Sequence, residues 1–356
     1  MQIPMNEIDN PNKTAVATEV LTTDQIIDAW THSQPIEFGD PVLANINFSH
    51  RDVFFPLGFP VSIATNVPEV LSIARQKWGS SSQQFDTEPI RIQVGITGTD
   101  SVHCPPTPTC RMRDHLITNI ADGENFVVCD LSNRSSVIWA TEAALRHTVY
   151  FNYFFLESAV MANIAANYTT PIHAGCVALS GQGVLLCGDS GAGKSTLSYA
   201  CARAGWTYIT DDASSLVNEH DDALVVGSCN QLRFRPSAET FFPELHGLEV
   251  MKRAGIGKPS IELPTDLQIN VAPSSSVKYI VFLRRDVSVQ ELIPYSRPVA
   301  RLFMQQRVHC MPYRTHLHMA AIDRLLARPV YELRYNNLDW AVDRLAHLIS
   351  EGLYEV

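Results

Sequence analysis

The chain is poor in positive charge for its length. It has 27 lysines and arginines against 37 aspartates and glutamates, which gives a formal net charge of −10 at pH 7. Proteins that bind nucleic acid gain much of their affinity from basic side chains that contact its phosphates. The composition therefore predicts no nucleic-acid partner.

A long apolar run is also absent. The most apolar stretch, residues 153–166, is interrupted by Glu157 and Asn163 and is too short to span a bilayer. Residues 1–20 do not show the charged and then apolar pattern of a signal peptide. The 8 cysteines match no standard zinc spacing. These absences predict no membrane partner and a cytoplasmic location.

The 356 residues, 46% of them hydrophobic, predict a globular protein with two domains. Residues 1–34 are expected to form a flexible tail and a short helix. Residues 35–138 alternate short apolar runs with turn residues, which predicts an α+β domain of unknown role. Residues 139–356 carry the motifs described below and are predicted to form the catalytic domain.

Apolar periodicity predicts several elements within these ranges. We expect a helix over residues 68–78 and a single long, buried helix from Thr141 to Ile164. A hairpin is expected around the turn at residues 181–183, and a closing helix over residues 340–349. Strands are predicted at residues 61–64, 90–94, 126–129, 206–210, 277–283 and 330–335.

The most informative segment fits the pattern G-x-x-x-x-G-K-[ST] at every fixed position. It follows a short apolar strand and precedes an apolar helix stripe, as that pattern requires. Glycines let backbone N–H groups close around a phosphate, and the helix N-terminus adds a favourable dipole. The segment predicts a site for a nucleoside triphosphate. The predicted nucleotide-binding residues here are Gly188, Asp189, Ser190, Gly191, Ala192, Gly193, Lys194, Ser195 and Thr196.

A second signal follows that helix. Asp211 and Asp212 end the next predicted strand, at the same sheet edge as the glycine segment, where ligands gather in α/β sheets. One carboxylate could hold Mg²⁺ and the other could accept a proton from an attacking hydroxyl. The alternative is a helix cap or a solvated turn. His173, on the strand beside the loop, fits either a core histidine or a residue that orients an aspartate or contacts phosphate.

Phosphoryl transfer also requires positive charge around the transferring group. The second half of the chain supplies four candidates for this role. They are Arg233, Arg235, Arg253 and Lys258, the last in a glycine-flanked segment. The sequence does not rank them, and most surface arginines have no such role.

These residues together resemble the catalytic domain of HPr kinase/phosphorylase, whose nucleotide-binding fold is related to that of phosphoenolpyruvate carboxykinase. The resemblance runs from about His173 to Asp212 and implies a P-loop kinase domain with a mixed sheet. It implies that Lys194 binds phosphate and that Ser195 is a Mg²⁺ ligand. Asp211 would be the proton-accepting base, Asp212 a metal-linked carboxylate and His173 their neighbour. Self-association is implied by the hexameric HPr kinases.

The sequence departs from that family in three places, one of which is the lack of a good match to the glycine-and-asparagine signature linked there to the reverse, phosphorolytic reaction. Thr196 stands where HPr kinases usually carry a glutamate, and the N-terminal half does not resemble the usual N-terminal domain. The resemblance therefore implies an ATP- and Mg²⁺-dependent kinase that phosphorylates a hydroxyl, foremost a serine on a small protein or peptide. A small-molecule hydroxyl acceptor and a non-catalytic nucleotide sensor or scaffold stay open. No Asn-Lys-x-Asp motif is present, which argues against a GTPase.

Overall fold

A computed structural model describes residues 22–24, 27–28, 46–220, 222–230, 232–252, 259–263, 269–285, 288–308 and 313–352. The chain divides into two compact units, Met1–Asn45 and Ile46–Val356. In the first unit, the described residues Thr23, Asp24, Ile27 and Asp28 are helical. All elements below belong to the second unit.

The N-terminal part of this unit forms a seven-stranded sheet in the order β1-β2-β3-β7-β6-β5-β4. Strands β2, β3 and β7 run parallel, and the other neighbours are antiparallel. The three strands predicted here, at residues 61–64, 90–94 and 126–129, are confirmed. The strands are β1 (His50–Phe54), β2 (Val61–Thr65), β3 (Ile90–Thr97), β4 (Thr109–Arg113), β5 (Leu116–Ile120), β6 (Phe126–Asp130) and β7 (Ser135–Thr141).

Helices cover this sheet and complete its core. Helix α1 (Pro68–Trp78) starts at a proline, whose missing N–H costs nothing in a first turn, and has the predicted bounds. Three further helices follow β7, namely α2 (Glu142–Arg146), α3 (Thr148–Phe151) and α4 (Glu157–Asn167). Their buried side chains share one apolar cluster with the strands of the first sheet.

The prediction of a single helix from Thr141 to Ile164 is wrong in its continuity. The Thr141 hydroxyl accepts a hydrogen bond from the Ala144 N–H, so the predicted cap is present. The chain then leaves helical conformation at His147, where φ is −85° and ψ is 66°. A wider helical turn over Asn152–Leu156 joins α3 to α4. Apolar residues on most faces predicted burial correctly, but periodicity does not detect such local changes of winding.

The second sheet is mixed, with the order β16-β10-β8-β11-β12-β17-β19-β18, and β9 lies between β8 and β17. The predicted hairpin of β8 and β9 is confirmed by their antiparallel register. The strands are β8 (Thr169–Leu179), β9 (Gln182–Cys187), β10 (Thr207–Thr210), β11 (Ala213–Val217), β12 (Leu224–Val226), β16 (Asn270–Val271), β17 (Ser274–Arg285), β18 (Glu291–Pro294) and β19 (Val330–Tyr335).

Alternating side chains of this sheet enter two different cores. Leu185 packs with α6 (Arg297–Val308) and α7 (Thr315–Leu325) on one face. Leu186 packs with α5 (Lys194–Arg203) and α8 (Leu338–Glu351) on the other. Helices on both faces are the arrangement that buries parallel strands. No helix in the described part of the chain is both long and apolar enough to cross a membrane.

A small third sheet lies beside α5. It contains β13 (Leu232–Phe234), β15 (Ser260–Leu263) and β14 (Val250–Met251), in that order. The rings of Tyr199 on α5 and Phe234 on β13 meet edge to face at 5.2 Å. This aromatic contact fixes β13 against the helix that follows the glycine segment.

Candidate functional site

The sheet topology brings the two predicted motifs to one edge. Strand β8 is antiparallel to both β9 and β10, so β9 and β10 are parallel to each other. The glycine loop, which we define as residues Gly188–Gly193, leaves the end of β9. Asp211 and Asp212 follow the end of β10. Strands β17 and β19 run parallel to β9 and end at the same edge.

Glycine is required at both ends of the loop. Gly193 has a φ of +100°, and a Cβ there would lie 2.4 Å from the Tyr335 hydroxyl. Gly188 has a φ of +146°, and its Cβ would lie 2.8 Å from the Ala192 Cβ. Both values favour glycine, since side chains rarely adopt this region of φ. The loop continues directly into α5, so the unpaired backbone N–H groups of the first helical turn lie at the end of the loop.

Lys194 is buried at the start of α5 and only 5% exposed. Its ammonium donates to the Gly188 carbonyl oxygen at 2.9 Å and lies 3.4 Å from an Asp212 carboxylate oxygen. Its Nζ also lies 3.0 Å from Nε2 of His173. The ammonium is thus held on the inner side of the glycine loop, close to the second motif.

His173 connects the lysine to the aspartate. Its Nδ1 lies 3.2 Å from the Asp212 carboxylate, and its Nε2 faces the Lys194 ammonium. Because an ammonium can only donate, this arrangement assigns the imidazole proton to Nδ1 and the lone pair to Nε2. His173 therefore contacts both motifs, and its side chain is 21% exposed rather than enclosed in a core.

Asp211 lies at the bend after β10 and receives hydrogen bonds from the Ser195 and Tyr208 hydroxyls. Burial raises the pKa of Asp211 to about 6, and the neighbouring charge of Asp212 acts in the same direction. The two hydroxyl donors oppose this shift. A carboxylate in this state is ionised at neutral pH and still basic enough to accept a proton.

The residues predicted to hold Mg²⁺ are Ser195 and Asp212. Ser195 is adjacent to Lys194, whose ammonium lies 3.4 Å from Asp212. Among the described residues, no group of three or more His, Cys, Asp or Glu side chains could hold a metal ion. Mg²⁺ commonly binds one or two protein oxygens together with substrate phosphates and water. The hydroxyl and carboxylate oxygens fit such a shared site, but not a site made by the protein alone.

The predicted basic residues occupy different places. Arg235 donates to the Ser190 hydroxyl in the glycine loop at 2.6 Å. Arg233 lies 3.7 Å from the Glu262 carboxylate on the neighbouring strand, and both arginines line the same cavity. Arg253 and Lys258 lie outside the described residues. The structure therefore places Arg235, rather than Arg233, in contact with the loop.

Sequence reasoning missed Arg285 and Tyr335. Arg285 ends β17 and stacks 5.3 Å from the centre of the Phe241 ring, at the cavity wall. The Tyr335 hydroxyl at the end of β19 donates to the Ala192 carbonyl oxygen at 3.4 Å. Both strands were predicted, but their parallel order was not. That order brings their ends to the glycine loop.

Most of these groups line one cavity of about 900 Å³, to which Tyr335 and Gly188 do not contribute. Its lining includes His173, Lys194 and Asp211 from the second sheet and its helices. Another part of the lining comes from the first sheet and its helices, and includes Trp78 and Glu157. The volume suits a nucleotide-sized ligand with room for a second group.

Comparison with known proteins relates this chain to one family. It is 30% identical over 209 residues to the HPr kinase/phosphorylase of Caldanaerobacter subterraneus subsp. tengcongensis. It is 28% identical over 252 residues to the HPr kinase/phosphorylase of Thermoanaerobacter pseudethanolicus. The chain is thus similar in sequence to HPr kinase/phosphorylases. The first match spans 53% of the chain and 65% of the relative, and the second spans 65% and 78%.

Other comparisons add little to this relationship. No family model matches the chain. The solved HPr(Ser) kinase/phosphatase from Coxiella burnetii aligns with a TM-score of 0.28 and 17% identity, over 51% of the chain and 99% of that structure. At that score the alignment carries no argument about fold. The similarity to HPr kinase/phosphorylases therefore rests on sequence matches such as these two.

Proposed function

We propose that the chain is an ATP- and Mg²⁺-dependent kinase that transfers the γ-phosphoryl group to a hydroxyl. The observation that carries this proposal is the convergence of the glycine loop, the Lys194 ammonium and the Asp211 carboxylate on one cavity. A protein that only bound nucleotide would have little need of a buried carboxylate poised as a base. The similarity to HPr kinase/phosphorylases supports phosphotransfer.

In this mechanism, the loop N–H groups and Lys194 hold the phosphates of the nucleotide. Asp211 accepts the proton of the acceptor hydroxyl as its oxygen attacks the γ-phosphorus. Lys194 stabilises the negative charge that develops on the phosphoryl oxygens, and Arg235 adds positive charge at the outer side of the loop. ADP leaves with the electron pair of the broken P–O bond.

His173 keeps Lys194 and Asp212 in place. Its Nδ1–H donates a hydrogen bond to the Asp212 carboxylate, and its Nε2 accepts one from the Lys194 ammonium. Ser195 and Asp212 would hold Mg²⁺ together with the phosphates. The ion, when bound, would neutralise phosphate charge. The protein oxygens keep their places through the hydrogen bonds already described.

We propose that the acceptor is a serine on a small protein or peptide. The curated relatives are named for HPr, a protein substrate, which favours this class. The wall formed by the first sheet and its helices would then contact the acceptor. A small hydroxyl compound is the alternative, and the same experiment separates the two.

The remaining expectations stand as part of this proposal. They are a P-loop kinase domain of the HPr kinase and carboxykinase type over residues 139–356, and an α+β domain over residues 35–138. Strand β7 belongs to the first sheet, and the buried side chains of helices α2 to α4 share its apolar core. Self-association is proposed by similarity to the family.

The decisive test measures phosphoryl transfer by Asp211→Asn. The protein would be incubated with Mg·ATP and a panel of HPr, serine peptides and small hydroxyl compounds, and products weighed by mass spectrometry. We expect the variant to bind ATP but to transfer about 10²- to 10⁴-fold more slowly, as for loss of a general base. Asp100→Asn, an exposed carboxylate outside the cavity, is the matched control.

Two results would contradict the proposal. The first is transfer by Asp211→Asn at the rate of the unmodified protein. The second is ATP binding without transfer to any acceptor, combined with a nucleotide-driven response that persists in the variant. That second result would establish a sensor or scaffold.

A further inference from the structure

A serine-rich turn forms part of the wall of the cavity that the glycine loop also lines. We call residues Gly79–Ser82, which directly follow α1, the serine loop. The Ser81 N–H donates to the Trp78 carbonyl oxygen at 3.0 Å, so the loop turns tightly at the helix end. Ser80 and Ser82 are exposed, and Ser81 is half-buried. The three hydroxyls are thus presented on a short segment anchored to a helix.

All three serines line the same cavity as Lys194 and Asp211. The serine loop follows a helix that packs on the first sheet, whereas the proposed catalytic groups belong to the second sheet and its helices. The space between them is part of a single continuous cavity of about 900 Å³. A phosphoryl group bound at the glycine loop would therefore share this cavity with hydroxyls of the same chain.

Direct contacts connect the serine loop with the segment beside Asp211. The Asn230 side-chain amide donates to the Ser80 hydroxyl oxygen at 3.3 Å. Three residues earlier, Gly227 is packed so closely that a Cβ there would lie 2.6 Å from the Cβ of Thr210. Thr210 immediately precedes Asp211. Because the Ser80 oxygen accepts this hydrogen bond, its own proton is left to be donated elsewhere.

We propose that the serine loop is an intramolecular phosphorylation site, which the chain modifies with its own γ-phosphoryl donor. This inference rests on the proposed kinase function. In the step, the serine oxygen forms a bond to the γ-phosphorus, and the bond from that phosphorus to the β-phosphate oxygen breaks. The hydroxyl proton passes to the Asp211 carboxylate, and ADP leaves with the electron pair.

The modification would change the cavity that produced it. A phosphoserine carries about −1.5 to −2 charges at neutral pH. Placed on the cavity wall, this charge repels the phosphates of an incoming nucleotide. The reaction is therefore self-limiting at about one phosphate per chain, and the modified chain binds ATP more weakly than the unmodified one.

The test is to incubate the full chain with Mg·ATP, without added acceptor, and to map any phosphate by peptide mass spectrometry. We expect a mass gain of about 80 Da, one phosphoryl group, on Ser80, Ser81 or Ser82. The variant with all three serines changed to alanine should lose at least nine tenths of this gain while still binding ATP. Ser132→Ala, an exposed serine at a turn of the first sheet, is the matched control.

A mixing experiment tests the intramolecular route. Lys194→Ala, which should lack transfer activity, is mixed with the unmodified chain, and the two are separated by a tag before mapping. The proposal expects phosphate on the active chain alone, with a rate per chain that does not depend on protein concentration. Phosphate on the serine loop of Lys194→Ala, or on a residue elsewhere, would overturn it.

The same reaction distinguishes this inference from the proposed function. A parallel sample contains HPr and the serine peptides. Transfer to an added acceptor without phosphate on the serine loop would overturn the self-modification and leave the kinase function intact. Absence of transfer to any acceptor, including the chain itself, would count against both.

Discussion

Arg235 and Arg233 show that spacing in the sequence does not determine which partner a cationic side chain contacts. The two are separated by one residue of the same strand region and were equal candidates at the level of sequence. Their neighbours differ, since Arg235 donates to Ser190 in the glycine loop and Arg233 faces Glu262. An arginine whose charge is partly satisfied by a carboxylate contributes less to a nearby anion.

This difference predicts unequal effects of alanine. Arg235→Ala should weaken ATP binding by about 10-fold, close to 1.4 kcal/mol, because it removes a charge that contacts the loop. Arg233→Ala should change the dissociation constant for ATP by less than about 3-fold. Isothermal titration of both variants with Mg·ATP checks this. Equal losses of ATP affinity in the two variants would show that contact with the glycine loop does not decide which arginine supports ATP binding.

At the scale of elements, the closing helix α8 illustrates a feature that local sequence determines well. Its buried stripe, including Ala341, Leu345 and Leu348, was predicted, and it packs against the sheet face that carries α5. The start of the helix lies two residues earlier than expected, at Leu338. The Asn337 side chain accepts a hydrogen bond from the Trp340 N–H at 2.9 Å and fixes this start.

Loss of that cap should destabilise the protein. We expect Asn337→Ala to lower the free energy of unfolding by about 1 kcal/mol, since an exposed helix N–H loses its acceptor. Asn337→Asp keeps an acceptor at the same position and should retain most of the stability. Urea denaturation followed by circular dichroism measures both. If the alanine variant were as stable as the aspartate variant, the hydrogen bond from the Trp340 N–H to the Asn337 side chain would not stabilise the helix as we expect.

At the scale of the whole molecule, stability depends on a histidine that does not line the cavity of the candidate site. His318 on α7 is fully buried. The Thr170 hydroxyl donates to the Asn218 side-chain oxygen at 2.5 Å, so the contact of His318 Nδ1 with Thr170, at 3.0 Å, has the histidine as donor. Nε2 of His318 has no hydrogen-bond partner within the part of the chain that the structure describes.

Burial lowers the pKa of His318 below the ordinary histidine value of 6.5, and the charges of His316 and Arg314 act in the same direction. Below that pH the unfolded chain therefore binds a proton that the folded chain excludes. Stability is then present above pH 6.5 and falls as the pH drops below it, by up to about 1.4 kcal/mol per pH unit.

Denaturation curves between pH 7.5 and pH 5 check this dependence. His318→Asn keeps a donor near the Nδ1 position and removes the titration, so it should flatten the pH profile. His316→Asn, which changes an exposed histidine, should leave most of the slope in place. An unchanged slope in His318→Asn would assign the pH dependence to other groups.

The sequence by itself determined many of the local elements and the position of the two motifs within them. The hairpin, the helix over residues 68–78 and the glycine segment follow from turn residues, apolar periodicity and fixed spacing, all of which act over a few residues. The expectation that Asp211 and Asp212 share an edge with the glycine loop is also confirmed. It needed only a general rule for α/β sheets.

Only the tertiary structure decided what converges on that edge. Arg285 and Tyr335 come from strands far along the chain, and their approach to the glycine loop depends on parallel pairing that no local pattern encodes. The serine loop reaches the cavity from a different sheet. The raised pKa of Asp211 arises from burial by many segments. Such properties depend on packing between distant segments, whereas sequence patterns report on neighbours in the chain.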